Sequence, residues 1–488
     1  MLVVNILLAV LCLSQGFVRS SAWTLTAENG FDHKNSVLMV EDDTMTAVFN
    51  FTSSEIPLSI RVMSSDTEIF EIDGENVHHF TSNGNFSVSL KALFLGRAKL
   101  EFYANKSLDK TTKVDEWCKL NVAYDVVVKK NSEGEMLGKI FTGIVIVLVC
   151  VANVAMGCKT DLQVVKSTLK KPIAPITGLS SQFILMPLIS FAVGRALNLS
   201  PAIAFGFFAM GASPGGAASN IYTFLLDGDV SLSVTMTFIS TVASLGLIPL
   251  WLYTVGVKVI YKDIDIQIPF LNIITSLIGL LIPVGIGILI ARKKPRWAKF
   301  ILKLVRPITV IFVILVFTFG VYANLYVFKL MEPLTLLSGA LIPYCSFAFG
   351  GLVALIASRF ANWSDRRSKI LTIAIETGIQ NTGISIVLLQ TSLPPPDGDI
   401  GIVAPIVCSI FTPIPMVIII LTYEIYKRCF RKEPLPSDND FSPVVAESEK
   451  NGVAIVDSQS SSVQPLTWEK MSNSSESPKL GQDTNHTE

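Results

Sequence analysis

The feature that most constrains this chain is a pair of apolar segments, each interrupted where a bilayer-crossing helix should be continuous. The first reads Gly211-Ala212-Ser213-Pro214-Gly215-Gly216-Ala217-Ala218-Ser219-Asn220, and the second Ala374-Ile375-Glu376-Thr377-Gly378-Ile379-Gln380-Asn381-Thr382-Gly383. Both place helix breakers and polar side chains inside hydrophobic runs. Non-helical backbone leaves amides without partners, and hydrocarbon offers no water in their place. Such breaks survive only when buried in protein or lining a cavity. Broken spans at corresponding positions of two halves point to a transporter's binding site. Glu376 sharpens the reading, because a carboxylate at that depth costs about 2.5–3.5 kcal/mol on insertion scales and calls for a cationic partner. The competing reading is a structural carboxylate hydrogen-bonded to a neighbouring helix.

Half of the residues are hydrophobic and only 16% are charged, with a mean hydropathy of +0.53. This is the composition of a polytopic membrane protein. The formal net charge is zero, so no global field draws nucleic acid or acidic partners. His33, His78, His79 and His486 all lie outside the hydrophobic spans, and no Cys/His metal spacing, nucleophile elbow, phosphate loop or dinucleotide fingerprint stands in a suitable context. The chain reads as a non-enzyme without an organic cofactor.

In order, residues 1–22 read as a secretory signal, with a short apolar core followed by Ser20-Ser21-Ala22. Residues 23–135 read as a small extracellular or luminal β-sandwich-like domain. Alternation is visible in Thr46-Ala47-Val48-Phe49-Asn50-Phe51, Phe86-Ser87-Val88-Ser89-Leu90, Lys99-Leu100-Glu101-Phe102-Tyr103 and Leu120-Asn121-Val122-Ala123-Tyr124. Sequons at Asn50, Asn85 and Asn105 fit a glycosylated module. Cys118 is the one cysteine of this segment, so it is either a buried thiol or a bridge to a second chain or another ectodomain partner.

From residue 136 to 430 the pattern gives about nine transmembrane helices, near 138–157, 172–194, 201–226, 230–256, 268–291, 304–326, 333–358, 368–393 and 400–425. Basic clusters around Lys159/Lys170, Arg292/Lys299, Arg359/Lys369 and Lys427/Lys432 fall in alternate connections. They share one side if the N-terminus is outside and the C-terminus cytoplasmic. The weak point is Asp227-Gly228-Asp229, a turn on that same side with no positive charge. Residues 431–488, rich in Ser, Asn and acids, read as a disordered cytoplasmic tail.

Ser233, Thr237 and Thr241 recur every fourth residue, so on a helix they share a face. Gln182 is a lone amide early in the second span, in Ser181-Gln182-Phe183-Ile184-Leu185-Met186-Pro187. Taken together with Gly228-Asp229-Val230-Ser231-Leu232-Ser233, Ser240-Thr241 and the two broken stretches, these residues resemble the bile acid:sodium symporter family over about 138–427. The large N-terminal segment resembles the family's P3-like orphan branch. The resemblance implies an all-α inverted-repeat fold of panel and core, in which the two broken helices cross. It implies one sodium held by Ser219, Asn220, Ser233, Thr237 and Glu376. A second is held by Gln182, Glu376, Gln380 and the main-chain carbonyls of Thr377 and Ile379. Pro214, Gly215, Gly216 and Asn381 are placed beside the substrate. Where the family often carries a polar residue, this chain has Ala217, and Ala212-Ser213 replace cysteines, which leaves substrate choice open.

The leading reading is therefore a sodium-coupled symporter of an amphipathic organic anion, a bile acid or sulfated steroid, in the plasma membrane or a secretory-pathway membrane such as the Golgi. The alternative is a non-transporting receptor or adhesion protein acting through its ectodomain on an inherited carrier scaffold. A passive channel fits less well, since the polar residues converge on one site.

Overall fold

The computed structural model describes residues 23–28, 31, 35–53, 58–105, 117–262, 270–304, 316–361, 363–427 and 429. The expected signal peptide, the polar tail and residues 305–315 of the expected span at 304–326 lie outside the described residues.

The N-terminal part is β-rich. Strands β1 (Trp23–Ala27), β3 (Thr44–Ser53), β7 (Gly84–Ala92) and β5 (Phe70–Asp73) form one sheet in the order β1-β3-β7-β5. Strands β2 (Ser36–Val40), β9 (Cys118–Lys129), β8 (Gly96–Asn105), β4 (Leu58–Ser64) and β6 (Val77–Phe80) form the other, in the order β2-β9-β8-β4-β6, with β2 parallel to β9. The alternation read from sequence is the reason for the packing. Ala47, Phe49 and Phe51 of β3, Phe86, Val88 and Leu90 of β7, and Leu100 and Phe102 of β8 turn to one shared core. Of the sequon asparagines, Asn85 is exposed, Asn50 half-buried and Asn105 buried at the end of β8.

The remainder is helical: α1 (Ser132–Lys159), α2 (Leu162–Leu169), α3 (Ile173–Ala196), α4 (Pro201–Gly211), α5 (Ala218–Leu225), α6 (Val230–Ile260), α7 (Leu271–Lys293), α8 (Tyr326–Leu330), α9 (Pro333–Phe360), α10 (Arg366–Gly378), α11 (Thr382–Ser392) and α12 (Asp397–Tyr426). Six of these, α1, α3, α6, α7, α9 and α12, are long and apolar enough to cross a membrane. The chain is an integral membrane protein. The two interrupted spans each resolve into two short helices, α4 with α5 and α10 with α11.

Small residues set the helix spacing. A Cβ on Gly157 of α1 would lie 2.1 Å from the Val284 carbonyl oxygen of α7, and one on Gly287 would lie 2.1 Å from that of Val154. Only glycine permits that approach, the usual device where lipid supplies no hydrophobic drive between helices.

The acidic turn that lacked a positive charge in the sequence finds its partners in space. Lys427 Nζ lies 2.8 Å from Asp227 Oδ2, and Lys369 Nζ 3.6 Å from Asp229 Oδ2. Tyr423 Oη donates to Asp227 at 2.8 Å, and the Asp229 amide donates to Thr372 Oγ1 at 2.8 Å. Two of the four basic clusters therefore share an end of the molecule with this turn.

Candidate functional site at the crossing of the broken spans

Each break has a local cause. Pro214 lacks an amide hydrogen and follows the end of α4, and Gly215-Gly216 carry the chain across in extended form. In the second span Asn381 caps α11, its Oδ1 accepting from the Ile384 amide at 3.1 Å. The two extended stretches pair antiparallel, with Gly215 opposite Gln380. The Gly216 amide donates to the Ile379 carbonyl at 2.9 Å and the Asn381 amide to the Pro214 carbonyl at 2.9 Å. Two of the amides freed by breaking the helices are thus satisfied by carbonyls of the opposite span. The glycine at 216 is required by contact, since a Cβ there would sit 2.6 Å from the Gln380 carbonyl oxygen.

Pro214, Gly215 and Gly216 are buried in this crossing, Asn381 is half-buried, and Ala217 and Ala218 are exposed. The residues expected beside a substrate therefore build the crossing itself.

Glu376 sits near the C-terminal end of α10 and is 1% exposed. Three hydroxyls surround its carboxylate. Ser219 Oγ donates to Oε1 at 2.6 Å, Ser233 Oγ donates to the same oxygen, and Thr237 Oγ1 lies 3.2 and 3.1 Å from the two oxygens. Asn220 joins through Ser233, whose Oγ is 2.9 Å from Asn220 Oδ1. Ser219 and Asn220 come from the first turn of α5, and Ser233 and Thr237 from α6, where the expected hydroxyl face is buried through Thr241. The first set of residues read from the sequence is together in space.

The second set is together as well, bonded within itself. Gln182 lies in a turn of wider π geometry, Ser181–Leu185, inside α3; such turns are frequent at functional sites. Its Nε2 donates to the Ser213 carbonyl at 2.8 Å and to Gln380 Oε1 at 2.5 Å. Gln380 Nε2 donates to the Thr377 carbonyl at 3.1 Å, and the Ile379 carbonyl is the one that takes the Gly216 amide. The carboxylate hydrogen bonds of Glu376 run to the first set.

Two supports had no role assigned from the sequence, although Ser240 stood among the residues that carry the resemblance. Ser240 Oγ accepts from the Gly215 amide at 3.3 Å, and Ser213 Oγ meets Ser385 Oγ at 2.8 Å across the two broken spans. Ser240 had a usable signal, lying three residues beyond Thr237 on α6. Ser385 had none, because its partner is 172 positions away.

A profile described as the Sodium Bile acid symporter family matches residues 145–331. The ileal sodium/bile acid cotransporter of Cricetulus griseus is 31% identical over 331 residues, 67% of this chain and 92% of that protein. The hepatic sodium/bile acid cotransporter of Rattus norvegicus is 31% identical over 297 residues, 60% of this chain and 79% of that protein. The P3 protein of Mus musculus is 26% identical over 415 residues, covering 84% of this chain and 85% of its own length.

Proposed function

Because the chain belongs to the sodium/bile acid symporter family, we propose that it is a sodium-coupled symporter of an amphipathic organic anion, such as a bile acid or a sulfated steroid, working by alternating access. The observation that carries this reading is the buried Glu376 carboxylate among Ser219, Ser233 and Thr237 at the crossing.

Each of those hydroxyls has a second acceptor. Ser219 Oγ is 2.8 Å from the Gly216 carbonyl, Ser233 Oγ is 2.9 Å from Asn220 Oδ1, and Thr237 Oγ1 is 3.0 Å from the Ser233 carbonyl. One proton per hydroxyl cannot serve both acceptors. With the protons turned to the carboxylate, the cluster is a satisfied polar knot. With all three turned to the second acceptors, the hydroxyl lone pairs and the carboxylate face one point, an oxygen cage suited to a hard cation such as Na⁺. The C-terminal end of α10 adds a favourable dipole. Cation entry is then a rotation of protons in a prebuilt site.

A second Na⁺ is assigned to Gln182, Gln380, the carbonyls of Thr377 and Ile379, and Glu376 as a shared carboxylate. It requires the Gln182–Gln380 pair to part, so this site fills after a rearrangement. One carboxylate does not neutralise two cations, which favours a co-transported anion near Pro214, Gly215, Gly216 and Asn381, at the N-terminal ends of α5 and α11. Two Na⁺ with one monovalent anion carry one net charge inward, worth about 2.3 kcal/mol per 100 mV.

On this reading residues 1–22 are a signal peptide and 23–135 an extracellular or luminal module glycosylated at the exposed Asn85. Residues 136–430 are the symporter and 431–488 a cytoplasmic tail, in the plasma membrane. The test is uptake of a labelled bile acid and a labelled sulfated steroid by cells expressing the chain, in Na⁺ or in choline, beside Glu376→Gln. Uptake that needs Na⁺ and is lost in the variant is expected. Equal entry in choline, or unchanged Na⁺-dependent uptake by Glu376→Gln, would remove the reading. No entry at all, together with partner binding through the module, would favour a receptor built on a carrier scaffold.

A further inference from the structure

The corner where α12 begins carries two acids, Asp397 and Asp399, and both take their cations from outside the helical part. Arg97, at the start of β8, donates from Nε at 2.8 Å and Nη2 at 2.7 Å to Asp397 Oδ2, while Tyr261 Oη donates to Oδ1 at 3.2 Å. Asp397 is 2% exposed. Lys130 stands directly before Asn131, the cap of α1. It is 6% exposed, donates to Asp399 Oδ1 at 2.7 Å, and lies 3.8 Å over the Tyr326 ring. Beside these pairs Leu95, in the β7–β8 turn, is buried in one apolar cluster with Met186, Ala202, Phe207 and Ile400.

This corner is continuous with the crossing. It follows α11, the outer half of the second broken span, and Gln390 of α11 donates to Asp399 Oδ1 at 3.2 Å. It also abuts α4, the outer half of the first, where a Cβ on Gly206 would meet the Gly401 carbonyl oxygen at 2.2 Å. The Lys130–Asp399 pair therefore ties the start of α1 to the ends of both broken spans. Parting α1 from α11 and α12 here needs that pair to break, and the buried Lys130 ammonium stripped of its partner is strongly disfavoured.

We infer that the β-module is a latch on the carrier: through Arg97 and Lys130 it grips the acidic corner and sets how readily the crossing opens toward the module's side. The inference rests on the alternating-access reading above. It gives the module a task in the same cycle as the ion site.

The test is amide hydrogen exchange of the purified full chain in lipid nanodiscs, comparing wild type with Arg97→Gln, Lys130→Gln, Asp397→Asn and the swapped pair Lys130→Asp/Asp399→Lys. Asp397→Asn leaves no unpaired buried carboxylate, so it loosens the corner without that folding penalty. A latch predicts about tenfold faster exchange at 213–217 and 378–383 in the neutralised variants, with protection regained in the swap. Faster exchange confined to the β7–β8 turn and 397–401 would overturn the inference and leave the module a passive cover. Adding Na⁺ to wild type is the separate arm: failure to protect 376–381 would count against the symporter reading without altering the latch comparison.

Discussion

Ser219, Ser233 and Thr237 matter through the choice each has between Glu376 and a second oxygen. Ser219→Ala removes one cage oxygen but leaves the carboxylate with two hydroxyl donors. The Na⁺ concentration for half-maximal stabilisation is expected to rise about tenfold, or about 1.4 kcal/mol, measured by melting the purified protein across a NaCl series at fixed ionic strength. A different residue governs pH response. Burial pulls the His78 imidazole below its ordinary value, against a smaller opposing effect of Glu75, and its Nε2 is buried without a hydrogen-bond partner. The unfolded chain then holds the proton more tightly, so module stability is full above about pH 6.5 and falls as pH drops below it. Protease resistance of the module in the full chain should be lower at pH 5.5 than at pH 7.5. His78→Phe should flatten that difference. Glu376 was legible from sequence because a carboxylate in an apolar run has few affordable explanations. The Ser213–Ser385 contact was not, since both serines look like ordinary residues of membrane helices.

The broken spans exist as elements because their backbone amides pair across the crossing, and that pairing depends on close approach at Gly216. Gly216→Ala forces a Cβ against backbone that cannot move aside, so a loss of about 1–3 kcal/mol is expected, read as a lower melting temperature with or without Na⁺. Gly157→Val should act the same way between α1 and α7, where the obstructing atom is again a carbonyl oxygen. The interruptions could be placed from proline, glycine and polar residues alone. The acidic corner could not, because Asp397 and Asp399 fall between the expected spans 368–393 and 400–425, and their partners lie 300 and 269 positions away. Hydrophobic periodicity reports which face of an element is buried. It carries no record of which distant charge will meet it.

Across the whole molecule two groups of acid–base pairs stand at opposite ends of the broken spans. Asp227 and Asp229 meet Lys427 and Lys369 at one, while Asp397 and Asp399 meet Arg97 and Lys130 at the other. The first arrangement gives the acidic turn, which has no basic residue of its own, lysines from the helices beside it. The β-rich module and the helical part were separable in the sequence by alternation against long apolar runs. Their contact was invisible there. If the module faces the secretory lumen, Asn85→Gln should abolish one glycosidase-sensitive step in electrophoretic mobility, and Asn105→Gln, at a buried side chain, should leave the pattern unchanged.

The central claim is that the oxygens around Glu376 hold Na⁺. Its most direct test is the melting temperature of the purified full chain in NaCl against choline chloride at equal ionic strength, for wild type and Glu376→Gln. A ligand that binds only the folded state stabilises it by about 2.7 kcal/mol at a hundred times its dissociation constant. Wild type should therefore melt higher in NaCl, and the variant, which folds around the same hydroxyl donors, should melt alike in both salts. A Na⁺ shift that persists undiminished in Glu376→Gln, or is absent from wild type, would contradict the account.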